Sequence, residues 1–193
     1  MKKSAGFTLI ELMVVIAIAS ILMTLAVPSF KQMIQSNTIS SNVNNFLADM
    51  RYARSESVRR GGGVVMCRSD NPEAANANCG TGSTTGWESG WIIFHDLTPI
   101  PSGTRTSDEP LLRVQAPITS INTIAETGAA TVFKFTATGR LNLSSATHLQ
   151  FGSNPPFATD AQRIVCVNLG GRARIAIDSA GKATGNASCS TDQ

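Results

Sequence analysis

The sequence predicts an α+β fold in which one long N-terminal helix precedes a body of short β-strands. A helical pattern of apolar residues extends over residues 7–60, and no comparable helical period follows it. The rest of the chain alternates short β-rich segments with turns rich in Gly, Pro, Ser and Asn. The 193 residues are 42% hydrophobic and 15% charged, which fits a folded domain and excludes a disordered protein.

The first half of the helix is apolar enough to cross a membrane. Residues 7–27 contain a single charge, that of Glu11. At about 1.5 Å per residue these 21 residues extend about 32 Å, which matches a hydrocarbon core of about 30 Å. Lys2 and Lys3 precede them, so we expect the N-terminus to stay in the cytoplasm and the body to cross the membrane. A cleaved secretory signal is the alternative, but its apolar core would be shorter and a small-residue cleavage site would follow it.

Glu11 is costly inside a membrane unless a partner offsets its charge. If the chain were cut after Gly6, the new amino group of Phe7 would lie one helical turn from Glu11. In a bundle of identical helices, Glu11 of one subunit could then neutralise the amine of its neighbour. Such a charge pair would set the axial register of an assembly.

The segment Gly6-Phe7-Thr8-Leu9-Ile10-Glu11 resembles the class III signal of type IV pilins and pseudopilins. The resemblance implies cleavage by prepilin peptidase after Gly6, methylation of the Phe7 amine and assembly through Glu11. It divides the chain into a leader peptide (1–6), a transmembrane and assembly helix (7–28) and a periplasmic or extracellular domain (29–193). It also implies a single-pass inner-membrane protein of bacteria, later incorporated into a pilus together with other pilin subunits.

The second half of the helix is amphipathic from residue 28 onward. Pro28 lacks the amide hydrogen that would bond to residue 24, so it is expected to kink the helix, as the pilin family also implies. Gly61-Gly62-Gly63 is expected to end it. A coiled coil is the alternative, but polar residues interrupt the apolar seam over residues 36–45. We therefore expect this half to pack on a sheet.

Seven short segments after residue 60 are predicted strands. They are residues 64–68, 90–96, 111–116, 131–136, 147–151, 163–169 and 172–178. Residues 69–89 are predicted to form a surface loop, and Trp91 and Phe94 are expected to pack on the helix. Three segments, 51–58, 64–67 and 86–94, resemble the GspH/FimT branch of the pilin family. That resemblance implies a minor pilin or pseudopilin with an antiparallel body of two β-sheets.

Four cysteines allow three pairings, and export of the domain would permit disulfides. A Cys67–Cys79 bond would close the loop after the first strand, and a Cys166–Cys189 bond would tie the C-terminal tail to a strand. A zinc site is the alternative, but the cysteines lack C-x-x-C spacing. His95 and His148 do not belong to any nucleophile motif. Because no G-x-S-x-G, H-E-x-x-H or complete phosphate-loop motif occurs, we predict neither an enzyme nor a cofactor.

A basic hairpin is predicted near the C-terminus, over residues 163–178. Gly170-Gly171 signals a turn between two β-rich runs. Strand alternation puts Ile175 and Ile177 on the core face and points Arg172 and Arg174 at solvent. Residues 163–182 contain four bases, Arg163, Arg172, Arg174 and Lys182, and one acid, Asp178. The overall charge of +3 excludes a strongly basic protein but not such a local basic patch.

Two guanidinium groups beside a glycine turn suit phosphate oxygens. Gly171 would leave the backbone open to a polyanion, and binding would be independent of base sequence and sensitive to salt. A solvated strand edge is the alternative. Gly171-Arg172-Ala173-Arg174 resembles the GRxR motif of FimT-like pilins, which implies binding of the DNA backbone for uptake in natural transformation. The alternative function is purely structural, in pilus tip priming or type II secretion.

Two further groups of arginines are less informative in the sequence. Arg140 would extend the basic patch if it lay near the hairpin, which the sequence does not settle. The arginines at the end of the helix have Asp49 and Glu56 within reach on the helix surface. We therefore interpret the helix-end arginines as structural.

Overall fold

The computed structural model describes residues 7–81, 86–98, 102–127, 130–152, 157–185 and 187–189. Helix α1 spans Leu9–Arg60, close to the predicted 7–60. The helical conformation continues through residue 28, so the proline does not end the helix, and the predicted kink stays a prediction. The chain forms two compact units, Met1–Gln35 and Ser36–Gln193.

The first unit is an apolar helix with the composition of a membrane span. Its most apolar window has a mean hydropathy of 2.6 and no buried share. Large apolar side chains such as those of Leu9, Ile10, Met13 and Ile18 are more than half exposed. Such a surface is unfavourable in water, because burial would contribute about 25 cal/mol of hydrophobic free energy per Å² of apolar area. By length and composition, this helix is able to cross a bilayer.

The second unit contains two antiparallel four-stranded sheets, in agreement with the expectation. The strands are β1 (Val64–Arg68), β2 (Trp91–His95), β3 (Leu111–Gln115), β4 (Ile124–Glu126), β5 (Val132–Phe135), β6 (Thr147–Phe151), β7 (Arg163–Val167) and β8 (Ala173–Ile175). The first sheet has the order β3-β2-β1-β5 and the second β4-β6-β7-β8. All seven predicted strands are present, and β4 is an additional one.

The end of α1 packs on the sheets through an apolar face. Its buried residues follow steps of three and four: Ile39, Val43, Phe46, Leu47, Met50 and Ala53. The ring of Phe46 is fully buried and meets four aromatic rings at centroid distances of 5.4–6.5 Å. After Arg60, the N–H of Gly62 donates to the carbonyl of Ser57 at 2.7 Å, and Gly61 has φ +80°. The glycine run therefore ends the helix as predicted.

Two expectations about aromatic residues are wrong. Trp87 lies within the predicted surface loop, yet it forms part of a short 3₁₀ helix (Trp87–Ser89) and is buried in the main core. Residues 82–85 of that loop lie outside the described residues. Trp91 packs in the main core with Phe46, whereas Phe94 lies in a separate cluster with Val65 and Ile92. Residues three apart in a strand point to opposite faces, so Trp91 and Phe94 cannot share one.

A buried carboxylate fastens the helix to the first sheet. Asp49 accepts hydrogen bonds from the indole nitrogen of Trp91 at 2.8 Å and from the guanidinium of Arg113 at 2.5 Å. Arg113, on the edge strand β3, also lies over the Tyr52 ring, 4.8 Å from its centroid. These contacts satisfy a donor that would otherwise be buried without an acceptor. Asp49 is thereby unavailable to the arginines on the helix surface.

Both disulfides form in the expected pairing. Cys67 of β1 bonds to Cys79, and Cys166 of β7 bonds to Cys189. The second bond holds the chain after β8 against the outer face of the second sheet, where Ile164 and Cys166 pack with Ala176 and Ala187.

Candidate functional site

The predicted basic hairpin is formed by β7 and β8. Cys166 pairs with Arg174 and Val167 with Ala173. At the turn, the N–H of Asn168 donates to the carbonyl of Arg172 at 3.0 Å, and the side-chain oxygen of Asn168 accepts from the N–H of Arg172 at 3.1 Å. These two hydrogen bonds join Asn168 and Arg172, which are the two ends of the turn. The result is a closed turn rather than an open loop.

Arg172 and Arg174 are both exposed, as alternation predicted. Arg174 lies opposite Cys166, on the face of the second sheet away from the core that contains Val165 and Val167. Within the described part of the chain, no carboxylate forms an ion pair with either guanidinium. Two arginine side chains about 7 Å apart along the strand are therefore free to donate to an anion.

The prediction that Ile177 faces the core is wrong. Its side chain is 57% exposed, whereas Ile175 packs against the main core. Strand β8 ends at Ile175, and the next N–H, that of Ala176, donates to the carbonyl of Ile164 at 2.8 Å. Ala176 still follows the alternation by packing in the outer cluster, and the side chain of Ile177 is the first to depart from it.

Gly171 has a different role from the one expected. It is buried and has φ +73°. A Cβ at this position would overlap the carbonyl oxygen of Gly139 and lie 3.4 Å from the Phe135 ring. The missing side chain thus makes room for the turn at residues 136–140, not for a polyanion. A neighbouring hydrogen bond, from the N–H of Leu141 to the carbonyl of Leu169 at 2.9 Å, joins the same two turns.

Arg163 lies at the other end of β7 and its guanidinium is occupied. It donates to the carbonyls of Asp160, Ala161 and Gln162 at 2.7–2.9 Å and to the Ser36 hydroxyl at 3.0 Å. Burial lowers its pKa, an effect that the charge of Asp160 partly opposes. Contrary to expectation, Arg163 connects the helix to the second sheet and is not free for phosphate.

Lys182 is exposed but is also separated from the turn at Gly171. It follows Asp178, whose carboxylate accepts from the N–H of Lys182 and from that of Ala180, both at 2.9 Å. The hydrogen bond from Lys182 is the main reason that the pKa of Asp178 is lowered, and the Lys182 charge adds to it. Strand β8 ends at Ile175, so Lys182 lies in a turn beyond the strand, and its part in the basic site stays a prediction.

The helix-end arginines divide into two groups. Glu56 forms ion pairs with Arg59 at 2.6 Å and Arg60 at 2.7 Å, as expected from their spacing. Arg51 and Arg54 form no ion pair with any residue that the structure describes. Asp49, one of the two acids expected within their reach, is held by Trp91 and Arg113. The structural interpretation is therefore supported for Arg59 and Arg60 only.

The Glu56 pairs predict a pH-dependent contribution to stability. The hydrogen bonds from Arg59 and Arg60 lower the pKa of Glu56 from 4.5 to about 2. Because the folded-state pKa lies below the unfolded one, the stabilisation is complete above pH 4.5 and is lost as the pH falls through about 2. We expect Glu56→Gln to lower the urea midpoint at about pH 6, and we expect this difference from wild type to shrink as the pH falls towards about 2. A difference in urea midpoint between wild type and Glu56→Gln that stayed constant with pH would contradict a stabilising role for the Glu56 ion pairs.

The expected assembly residue Glu11 lies at the start of α1. Its carboxylate accepts from the N–H and the hydroxyl of Thr8 at 2.9 and 2.8 Å, while its own N–H donates to the Thr8 hydroxyl at 3.3 Å. This reciprocal arrangement caps the helix N-terminus. The predicted processing residue Gly6 and the two leader lysines lie outside the described residues. In the isolated subunit, Thr8 therefore supplies the hydrogen bonds of the Glu11 carboxylate.

The described residues contain no group of three or more His, Cys, Asp or Glu side chains able to hold a metal ion. All four cysteines are in disulfides. His95 lies in β2, and His148 lies in β6 with its Nε2 2.6 Å from the Thr127 hydroxyl. Both histidines are therefore strand residues.

Two family models match the chain. The model for the type II transport protein GspH matches residues 42–171, and that for the prokaryotic N-terminal methylation motif matches residues 1–27. No curated protein matches the chain.

Two crystal structures of the type IV minor pilin FimU of Pseudomonas aeruginosa are similar in fold. One has a TM-score of 0.54 at 22% identity, covering 76% of this chain and 92% of FimU. The other has a TM-score of 0.51 at 22% identity, covering 75% and 95%. At this identity the likeness concerns the fold alone.

Proposed function

The chain belongs to the GspH family of pilin-like proteins, and on that premise we propose that it is a minor type IV pilin that binds DNA for uptake in natural transformation. Proteins of this kind are structural subunits rather than known enzymes. Arg172 and Arg174 contact the phosphate backbone without reading the bases. Retraction of the pilus, driven by other proteins, then carries the DNA inward.

The N-terminal segment supports the pilus part of this proposal. Prepilin peptidase cleaves after Gly6, the Phe7 amine is methylated, and the helix holds the subunit in the inner membrane with its body in the periplasm. During assembly, Glu11 exchanges its hydrogen bonds with Thr8 for the Phe7 amine of a neighbouring pilin. The exchange is favourable because a carboxylate in an apolar bundle gains more from a cation than from neutral donors.

The DNA part rests on one observation, the unpaired state of two exposed guanidinium groups beside a closed turn. A turn fixed by Asn168 limits the backbone entropy that binding would otherwise cost. The near-neutral charge of the whole chain leaves little general attraction to DNA, so any affinity must come from local groups. Several subunits in one pilus would strengthen a weak individual contact.

Fluorescence anisotropy with a labelled DNA duplex tests the proposal on the full chain in non-ionic detergent. We expect the double variant Arg172→Gln/Arg174→Gln to bind roughly tenfold or more weakly at low salt. The slope of log affinity against log salt is expected to fall by about 2, since each phosphate contact contributes about 0.9. Sequence changes in the duplex are expected to have little effect.

A charge-matched control separates this site from general attraction. Lys31→Gln/Lys134→Gln also removes two positive charges, and neither lysine belongs to the hairpin. We expect this variant to bind DNA as wild type does. Equal binding by the arginine double variant and wild type would overturn the hairpin assignment.

The second candidate function is an assembly role without DNA binding, in pilus tip priming or type II secretion. The observation that favours it is the family match itself, because the matched model describes a type II transport protein. Deletion of the gene discriminates the two. Selective loss of transformation supports DNA capture, loss of pili supports priming, and retention of secreted proteins in the periplasm supports a secretion role.

A further inference from the structure

Three elements that are distant in sequence meet beside the hairpin turn. Gly171 packs against the carbonyl of Gly139. On its other side, a Cβ at Gly139 would lie 3.0 Å from both Cγ and Nε of Arg54, on α1. Gly139 has φ +72° and is buried, so the backbone of this turn is held between the helix and the hairpin. The 136–140 turn therefore contacts both the helix and the hairpin.

Each of these three elements contributes an arginine at the junction. Arg140 follows Gly139 and is exposed, Arg172 follows Gly171 and is exposed, and Arg54 is half-buried with its stem against Gly139. The contact between the two glycines places the Cα atoms of Arg140 and Arg172 within about 10 Å of each other. Arginine side chains at this separation can reach neighbouring phosphates of one strand, which rise about 3.4 Å per nucleotide along the axis of duplex DNA.

The local acids do not neutralise these arginines. Glu56 is held by Arg59 and Arg60, and Asp49 by Trp91 and Arg113. Over the described ranges, no ion pair involves Arg54 or Arg140. Glu56 lies two positions from Arg54 on α1, and residues at that spacing point to different faces of a helix. Within the described residues, Arg51 on the same helix forms no ion pair either, and Arg54 differs from it by its contact with Gly139 at the junction.

We propose that Arg54 and Arg140 continue the polyanion-binding surface, so that one phosphate backbone crosses from the hairpin over the 136–140 turn to the end of α1. This surface, the extended basic surface, consists of Arg54, Arg140, Arg172 and Arg174. The proposal rests on the proposed function, because it assigns further contacts to the same ligand. It predicts a preformed site whose four cations come from three separate segments, with both buried glycines acting as positioning residues.

The test is the double variant Arg54→Gln/Arg140→Gln in the full chain in non-ionic detergent, measured by anisotropy with a labelled DNA duplex over a range of salt. We expect the dissociation constant to rise roughly fivefold or more and the salt slope to fall by about 2. The variant Arg140→Lys is expected to keep the slope and to lose part of the affinity, since lysine keeps the charge but not the forked geometry. Lys31→Gln/Lys134→Gln is the charge-matched control, and tryptophan fluorescence verifies that each variant is folded.

The outcomes of the two double variants are distinguishable. If Arg54→Gln/Arg140→Gln keeps wild-type affinity and slope while Arg172→Gln/Arg174→Gln loses them, the extension is overturned and the hairpin proposal stands. If neither double variant differs from wild type, both proposals fail. A loss by Arg54→Gln/Arg140→Gln alone would overturn the continuity of the surface and would move the DNA site to the helix end.

Discussion

Replacement of Phe46 by alanine is expected to lower the free energy of unfolding by about 4 kcal/mol. Phe46 is fully buried on the inner face of α1, where its ring meets Trp87, Trp91, Phe133 and Phe151 edge-on. The change removes the transfer free energy of the ring and leaves a cavity that rigid aromatic neighbours cannot collapse into. These neighbours come from both sheets and from the 3₁₀ helix, so the loss affects every layer of the second unit.

The measurement is urea unfolding of the full chain in detergent, followed by tryptophan fluorescence, since both tryptophans lie in this core. Phe46→Leu, which retains most of the apolar volume, is expected to cost about 1.5 kcal/mol. Val58→Ala is the control on the same helix, because Val58 is exposed and its truncation is expected to change stability by less than about 0.5 kcal/mol. Similar midpoints for the Phe46 and Val58 alanine variants would show that Phe46 is not the centre of the core.

The fold class was predictable because its strongest signals are local. The 3.6-residue period on α1, the glycine run at residues 61–63 and the bounds of β1 and β6 depend on neighbouring residues only. Trp87 and β4 were not predictable in this way. Trp87 follows a segment rich in Gly, Ser and Thr, and β4 has only three residues, too few to show alternation. Trp87 packs against the distant Phe46 and β4 pairs with the distant β6, and local sequence patterns do not record such contacts.

The candidate site shows the same division between local and distant contacts. Exposure of Arg172 and Arg174 follows from alternation beside a glycine turn, and the sequence predicted it. The engagement of Arg163 by carbonyls three residues upstream and by Ser36, 127 positions away, could not be read from the hairpin. The junction of Arg54 and Arg140 with the hairpin likewise depends on two glycines that are 32 positions apart and whose missing side chains allow the approach.

Gly171→Ala is expected to lower the free energy of unfolding by about 3 kcal/mol. The left-handed conformation at φ +73° alone costs an alanine about 1 kcal/mol. The larger cost is steric, because the new Cβ would overlap the backbone oxygen of Gly139, and a backbone carbonyl cannot move aside as a flexible side chain can. Relief of this clash requires the hairpin to separate from the 136–140 turn.

Gly181→Ala is the matched control, because Gly181 has φ +74° but no atom within 4 Å of the place where the new methyl group would lie. It is expected to cost about 1 kcal/mol, the conformational part alone. The difference between the two variants in urea unfolding therefore measures the packing of the hairpin on the turn. If that packing also aligns the extended basic surface, Gly171→Ala weakens DNA binding under conditions where it is still folded, whereas Gly181→Ala does not. Equal losses in the free energy of unfolding for the two substitutions would show that position 171 requires glycine only for its backbone conformation. The contact between Gly171 and Gly139 would then not align the extended basic surface.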